Sequence, residues 1–261
     1  MILGGSPSVT FIGAGNLATQ LALALHNKGI RIIQIFSRTE EAATQLATKV
    51  AASSCTHINN ITSEADIFIF AIKDTVLEDV VSKMPFHNGL WLHTSGSMPM
   101  DLFMPYIESY GILYPLQTFS KTKEVDFSQI PLFLEGSNEK ALDTTRQLAC
   151  ILSPHIYSLD SEKRKWLHLS AVFANNFTNH LYSIASDIIR ETGVPFSVLL
   201  PLIQETASKV QKLPPLVAQT GPAIRYDENI INKQLEMLKD NPEYQEIYRL
   251  LSQSIFHLQK K

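Results

Sequence analysis

The sequence predicts an α/β fold with a mostly parallel sheet, followed by an all-α region. Short apolar stretches alternate with helix-patterned segments as far as Asp160, and the hydrophobic period is helical throughout after that residue. Strands that alternate with helices form parallel sheets with helices on their faces. We therefore expect two domains, over residues 1–159 and 160–261, without a linker between them.

Composition narrows the class of protein. The chain has 261 residues, of which 45% are hydrophobic, and its net charge is −3. It lacks the basic stripe of a nucleic-acid-binding protein and the long apolar run of a membrane helix, so neither partner is expected. Cys55 and Cys150 form no disulfide framework or metal spacing and are expected to be buried. With no signal-type segment at the start, these features predict a cytoplasmic protein without a metal.

A glycine-spaced turn lies between an apolar strand and a helix within Val9–Ala18. Gly13, Gly15 and Ala18 form Gly-x-Gly-x-x-Ala, the Ala-ended dinucleotide-binding fingerprint. Gly13 permits the tight turn, Gly15 leaves room for a pyrophosphate, and Ala18 lets the helix pack closely on the strand. The motif predicts a doubly wound Rossmann sheet, the alternative being an ordinary strand–turn–helix corner. The expected cofactor contacts here are Gly13, Ala14, Gly15, Asn16 and Leu17.

The end of the second predicted strand, Arg31–Phe36, indicates which dinucleotide binds. NAD enzymes usually place Asp or Glu there, to bind the ribose 2′-hydroxyl. This chain has Ser37, Arg38 and Thr39 instead. A guanidinium matches a 2′-phosphate in charge and fork geometry, and the two hydroxyls can add hydrogen bonds. The sequence therefore predicts NADP as the cofactor, unless Arg38 is only a solvated turn residue.

Further strand–helix units extend the predicted sheet. Strands are expected near residues 51–60, 66–71, 90–93, 112–114, 132–134 and 156–157, and helices at 16–27, 40–50, 75–84 and 141–152. Loops at the carboxyl ends of parallel strands form the ligand crevice of such sheets. The loops after the strands at 66–71 and 90–93 therefore add expected cofactor contacts, namely Ala71, Ile72, Lys73, Thr94 and Ser95. His93 is either a ligand-facing or a structural residue at the same edge.

The helical region supplies the candidate catalytic residues. Helices are predicted at residues 161–192, 201–212, 227–239 and 242–259. At ~100° per residue, Asn175 and Asn179 each project to within roughly 20° of His168 on the first of them. We interpret His168 as the proton donor or acceptor, because imidazole exchanges protons near neutrality, and Asn175 as a residue that orients the substrate. The alternative is an interhelical hydrogen-bond network or a dimer contact.

The polar stretch Thr220–Asp227 separates two of these predicted helices. Its Arg225 is a candidate for binding a substrate anion. The alternative is that Arg225 pairs with Asp227 and the two cap the next helix.

Several motifs resemble known families. Phe11–Ala18 and Ser37-Arg38 are similar to the NADP-binding domain of pyrroline-5-carboxylate reductases and deazaflavin-dependent NADP oxidoreductases. Nearly the whole chain resembles a bacterial family of two-domain NADP oxidoreductases, in which a Rossmann-like domain precedes a helical C-terminal domain of unknown function. The motifs that carry this second resemblance are His93–Ser97, Pro115–Phe119, residues 168–176 and Thr220–Pro222.

The resemblance implies a 6-phosphogluconate-dehydrogenase-like helical domain and a homodimer built through it. Three departures matter: Tyr114 stands where His is common, Tyr226 where Gly is common, and Ala171 where β-hydroxyacid dehydrogenases have the Lys of a Lys-x-x-x-Asn pair. The first two are expected to reshape the pocket, and the third lowers the odds of hydroxyacid chemistry.

Two functions remain open at this point. One is an NADP-dependent oxidoreductase that transfers a hydride between NADP(H) and a small carbonyl or imine substrate. The other is an NADP-binding sensor or interaction module without turnover. A helical dimer scaffold that has lost the nucleotide is a third and weaker option.

Overall fold

A computed structural model gives the fold and describes residues 7–85 and 87–260. The chain divides into two compact units, one ending at Asn176 and the other beginning at Phe177. The sequence-based boundary at Asp160 lies earlier, at the N-cap of a helix that belongs to the first unit.

The first unit is built on a sheet of eight strands within the described residues, in the order β3-β2-β1-β4-β5-β6-β7-β8. All neighbours pair in parallel except β6 and β7, which are antiparallel. The predicted α/β class with a mostly parallel Rossmann sheet is therefore confirmed. The strands are β1 Ser8–Ile12, β2 Arg31–Phe36, β3 Ser53–Cys55, β4 Ile67–Phe70, β5 Leu90–His93, β6 Tyr110–Pro115, β7 Leu132–Gly136 and β8 Ile156–Ser158.

Helices cover both faces of this sheet. They are α1 Asn16–Asn27, α2 Glu40–Lys49, α3 Asp74–Lys83 and α4 Glu139–Leu152, and α5 Ser161–Ala171 follows β8. One apolar cluster joins Leu25 of α1 and Leu148 of α4 to the sheet, and a second lies around Leu77 of α3. Two clusters on opposite faces are what a doubly wound sheet requires, since its central strands, such as β4 and β5, are buried on both sides.

The two cysteines differ in exposure. Cys55 is buried, as expected, but Cys150 is exposed, so the expectation of a buried thiol at Cys150 is wrong. Helix α4 turns Leu148, Ala149 and Leu152 toward the core. A residue one position after Ala149 is rotated by about 100° and faces solvent.

The second unit is helical over its described residues, as predicted. Its helices are α6 Thr178–Ile189, α7 Leu200–Lys209, α8 Pro215–Ala218, α9 Glu228–Met237 and α10 Pro242–Gln259. The segment predicted as one long helix over 161–192 is helical throughout, but Val172–Phe177 forms a π-helical turn between α5 and α6. Within the described chain, no helix has the length and apolar character needed to cross a bilayer.

Candidate functional site

A cavity of about 620 Å³ opens at the carboxyl edge of the sheet. It lies where the strand order reverses, because β1 has β2 on one side and β4 on the other. This switch point is where open α/β sheets bind ligands. Every expected cofactor residue except Thr39 lines the cavity, and so does His168. Residues far apart in the chain therefore share one site.

The two fingerprint glycines play different parts. Gly13 has φ +122°, and a Cβ there would collide with the Ala71 carbonyl oxygen and lie 2.8 Å from Cγ2 of Ile72. Gly15 is exposed and extended, and a Cβ there would meet nothing within 4 Å. Helix α1 begins at the next residue, so its unpaired N–H groups face open space. This arrangement fits a pyrophosphate.

The end of β2 presents a cation to the same cavity. Arg38 is exposed, and no hydrogen bond or ion pair joins it to another residue in the described ranges. Thr39 holds the N-cap position of α2 without a side-chain capping bond and does not line the cavity. The guanidinium is therefore free to meet an anion.

His93 ends β5 and is structural. Its Nδ1 accepts a hydrogen bond from the Ser95 N–H at 3.2 Å, and its Nε2 lies 3.3 Å from the Pro99 carbonyl oxygen. Both nitrogens are satisfied by a neutral ring that carries its proton on Nε2. Burial, followed by the charge of Arg164, lowers the pKa of His93 to about 3. Of the two roles that the sequence left open for His93, the hydrogen bonds favour the structural one.

The loop after β5 is fixed by hydroxyl groups. The Ser95 Oγ accepts from the backbone N–H groups of Ser97 and Met98, at 3.1 and 3.0 Å. The Ser97 hydroxyl donates to the carboxylate of Asp74, at the start of α3. These bonds join the loops that follow β4 and β5, so the cavity wall is held from both sides.

Arg164 is a positioning residue that sequence reasoning missed. Its side chain is wholly buried, and Nη1 lies 2.6 Å from Oε2 of Glu135. Nε donates to the Ser95 carbonyl oxygen at 3.2 Å, and Nη2 donates to that of Met98. The guanidinium therefore holds the loop after β5 against α5. Between Lys163 and Lys165 in the sequence, Arg164 looks like a surface residue, and no local signal distinguishes it.

His168 contacts Tyr114, and both residues line the cavity. The Tyr114 Oη lies 3.0 Å from Nδ1 of His168, and the two rings pack edge to face with centroids 6.0 Å apart. A Cβ on Gly96 would lie 2.5 Å from the same Nδ1. Burial is the main cause that raises the pKa of Tyr114, so the phenol keeps its proton at neutral pH. Tyr114 thus belongs to the candidate site.

Asn175 is placed differently from His168. It is exposed, lies within the π-helical turn and does not line the cavity. The projection onto one face assumed α-helical geometry, whereas a π turn holds more residues. Asn179 belongs to the second unit. The role of Asn175 in orienting a substrate stays a prediction.

The stretch Thr220–Asp227 is resolved in the second unit. Asp227 caps α9 by accepting from the Ile230 N–H at 3.3 Å, which confirms the capping part of the alternative. Arg225 is exposed, and no ion pair joins it to Asp227 in the described part of the chain. Tyr226 has φ +52° and its ring packs on Phe256. Gly adopts this left-handed conformation without strain, so the Gly that the family resemblance leads us to expect at this position would fit the same backbone.

The sheet, the glycine turn and an ionisable histidine over one cavity define a Rossmann-type dinucleotide-dependent oxidoreductase. Family models agree with this class. Residues 8–91 match the family described as NADP oxidoreductase, coenzyme F420-dependent, and residues 130–255 match a domain of unknown function, DUF2520.

Solved structures extend the comparison. Putative NADP oxidoreductase BF3122 from Bacteroides fragilis is 47% identical, with TM-score 0.90, 97% of this chain and 98% of that chain covered. Pyrroline-5-carboxylate reductase from Streptococcus pyogenes is 13% identical, with TM-score 0.64 and 97% and 99% covered. An imine reductase from Myxococcus stipitatus in complex with NADP⁺ is 16% identical, with TM-score 0.61 and 97% and 93% covered. The last two likenesses show the fold alone. No curated protein matches the chain.

This protein belongs to the family of two-domain NADP oxidoreductases that carry a DUF2520 C-terminal domain. Its cofactor is NADP. The predicted family and cofactor are therefore confirmed.

Proposed function

We propose that this oxidoreductase transfers a hydride between NADP(H) and the carbonyl or imine carbon of a small substrate, with His168 exchanging the accompanying proton. The observation that supports this most directly is that His168 lines the same cavity as the glycine turn and Arg38. When bound, NADPH supplies the hydride from its nicotinamide ring.

The chain's own residues divide the remaining work. The turn at Gly13–Gly15 and the start of α1 bind the pyrophosphate, and Arg38 binds the 2′-phosphate. Thr94 and Ser95 line the nicotinamide side, where both are buried and the Thr94 hydroxyl is held by the Phe70 carbonyl oxygen at 3.4 Å. His168 then gives a proton to the substrate oxygen or nitrogen in the reductive direction, or takes it in the oxidative direction.

Oxidation of NADPH in the presence of cyclic imines, keto acids or oxidised deazaflavin tests this function. We expect at least one of these compounds to be reduced, and His168→Ala to abolish the turnover while NADPH affinity stays within a few-fold. His155→Ala is the matched control, because His155 is an exposed histidine of the same unit. Unchanged turnover in His168→Ala would remove this residue from the mechanism.

A sensor without turnover is the second candidate, and Ala171 favours it. β-Hydroxyacid dehydrogenases have the Lys of a Lys-x-x-x-Asn pair at this position. This chain has Ala171 there and so lacks the amine. Tight NADPH binding without oxidation of NADPH by any member of the panel would select the sensor.

We also propose a homodimer through the helical unit. Many large apolar side chains of this unit are exposed, more than an isolated domain normally leaves in water. They include Leu202, Val217, Met237 and Leu250, each at least 64% exposed. Sedimentation analysis should show a dimer, and the double substitution Leu202→Asp with Leu250→Asp should shift it toward monomer. A wild-type monomer at all concentrations would contradict this proposal.

A further inference from the structure

We propose that Tyr114 is the positioning residue of the proton-transfer step: its phenol holds Nδ1 of His168, so that Nε2 is the atom that exchanges a proton with the substrate. This inference rests on the proposed role of His168. It assigns a function to Tyr114, which lines the cavity and stands where the family resemblance leads us to expect His.

The geometry leaves the imidazole little freedom. Tyr114 lies on β6 and His168 on α5, and the only hydrogen bond to the His168 ring within the described residues is the one from Oη to Nδ1, at 3.0 Å. The ring also rests on Gly96, where even a methyl group would lie 2.5 Å from Nδ1. With Nδ1 held between a phenol and a backbone, Nε2 is the nitrogen left for a ligand of the cavity.

A hydroxyl partner suits a histidine that must change its protonation state. The phenol donates to Nδ1 when that nitrogen is bare, and accepts from it when it carries a proton. A carboxylate at this place would favour the charged ring only. Three of the charged and titratable groups nearby are engaged elsewhere: Asp74 of α3 with Ser97, Arg164 of α5 with Glu135, and neutral His93 of β5 with Pro99. Arg38 and Lys73 also line the cavity, but neither makes a hydrogen bond to the His168 ring within the described residues.

The proton balance is simple. In the reductive direction the substrate carbon gains the hydride, and its oxygen or nitrogen gains the proton from Nε2 of the imidazolium. The neutral ring that remains keeps its Nδ1 proton, which it donates to Oη, and water returns a proton to Nε2. Tyr114 keeps its own proton throughout, because burial raises its pKa.

Nitrogen NMR of the ¹⁵N-histidine-labelled protein tests the inference without a substrate. Comparison with His168→Gln assigns the His168 ring signals. At a pH where the ring is neutral, we expect Tyr114→Phe to shift the Nδ1 resonance and change the ratio of the two tautomers. Tyr157→Phe is the matched control, because Tyr157 packs on the same Phe133 as Tyr114 but is exposed and makes no bond to His168. Ring signals that are the same in wild type and Tyr114→Phe overturn the inference.

Kinetics provide a second measurement. Tyr114→Phe should lower kcat by roughly 10- to 100-fold, less than complete loss of acid–base catalysis, and move the pH at which kcat falls. The Kd for NADPH should stay within about two-fold of the wild-type value, a difference of less than about 0.5 kcal/mol in binding free energy. Tyr114→His should retain a higher kcat than Tyr114→Phe, because an imidazole can also donate and accept a hydrogen bond. A drop in NADPH affinity that accounts for the whole loss would overturn the positioning role.

The two proposals fail in different ways. Full turnover in His168→Ala defeats the proposed function, whatever the NMR result. Loss of turnover in His168→Ala, with unchanged His168 ring signals in Tyr114→Phe, leaves the proposed function standing and defeats the role of Tyr114.

Discussion

Nη1 of Arg164 lies 2.6 Å from Oε2 of Glu135, and the guanidinium is completely shielded from solvent. The partners are 29 residues apart in sequence, on α5 and β7. The Glu135 carboxylate also accepts from the backbone and hydroxyl of Ser161, at 3.1 and 2.7 Å. One buried cation thereby connects a strand, a helix and the loop that lines the cofactor cavity.

Arg164→Met tests this connection. The substitution removes the cation and leaves the Glu135 carboxylate largely buried without its partner, which costs about 3–5 kcal/mol of unfolding free energy. Urea unfolding measures the loss. Lys163→Met is the control, because its ion pair with Asp160 is exposed on both sides and should contribute little to stability. Equal stability of the two variants would contradict a structural role for Arg164.

Alanine at the two fingerprint glycines should separate folding from binding. Gly13→Ala forces a side chain into φ +122° and against the backbone of Ala71, so the free energy of unfolding falls by about 1–3 kcal/mol or more. Gly15→Ala meets open space, so unfolding changes by less than about 1 kcal/mol. Calorimetric titration should nevertheless show that Gly15→Ala weakens NADPH binding. Undiminished NADPH affinity in Gly15→Ala would show that the pyrophosphate lies elsewhere.

Arg38→Ala should discriminate between the two coenzymes. Loss of a charge-assisted contact to the 2′-phosphate weakens NADPH binding by roughly 10- to 100-fold, while NADH binding changes little. Arg31→Ala is the control, because Arg31 is an exposed arginine at the start of β2, the strand that precedes Arg38, and it does not line the cavity. Equal losses for NADPH and NADH would refute the 2′-phosphate assignment.

His93 should make stability depend on pH. Burial lowers its pKa to about 3 in the folded state, from the 6.5 of a solvent-exposed imidazole. The unfolded chain therefore binds the proton first, and the stabilisation is complete above pH 6.5 and is lost as the pH falls toward 3. For this single group, the unfolding free energy should drop by about 1 kcal/mol between pH 7 and 5.5, before most carboxylates titrate.

Denaturant unfolding of His93→Gln across the same pH range measures that contribution. The variant should be less stable at pH 7, and its stability should fall less on acidification. The exposed His57→Gln is the control and should follow wild type. If the unfolding free energy of His93→Gln falls with pH as steeply as that of wild type, another group causes the pH dependence.

Much of the sheet and its cofactor edge was accessible from the sequence. Strand β2 has the predicted bounds, and β6, β7 and β8 lie where short apolar runs suggested them. The expected residues of four loops meet at one cavity, apart from Thr39. These features follow from local causes: the period of apolar residues, the left-handed turn at Gly13, and the rule that carboxyl ends of parallel strands share an edge.

Other features were decided by contacts between distant residues. Tyr114 and His168 are 54 positions apart, and only the packing of α5 beside β6 brings Oη to Nδ1. Arg164 stands between two lysines and resembles a surface residue until Glu135 and the loop after β5 surround it. The π-helical turn also changes the direction of Asn175, which helical projection alone does not reveal.

The sequence by itself determined that this chain builds a Rossmann sheet, with a glycine turn after β1 and a cation after β2, and that its cofactor is NADP. Only the tertiary structure decided which polar side chains are buried together and which histidine lines the cavity. The physical reason is that backbone conformation and periodicity are short-range properties, whereas burial, hydrogen-bond partners and pKa depend on neighbours that folding brings from remote parts of the chain.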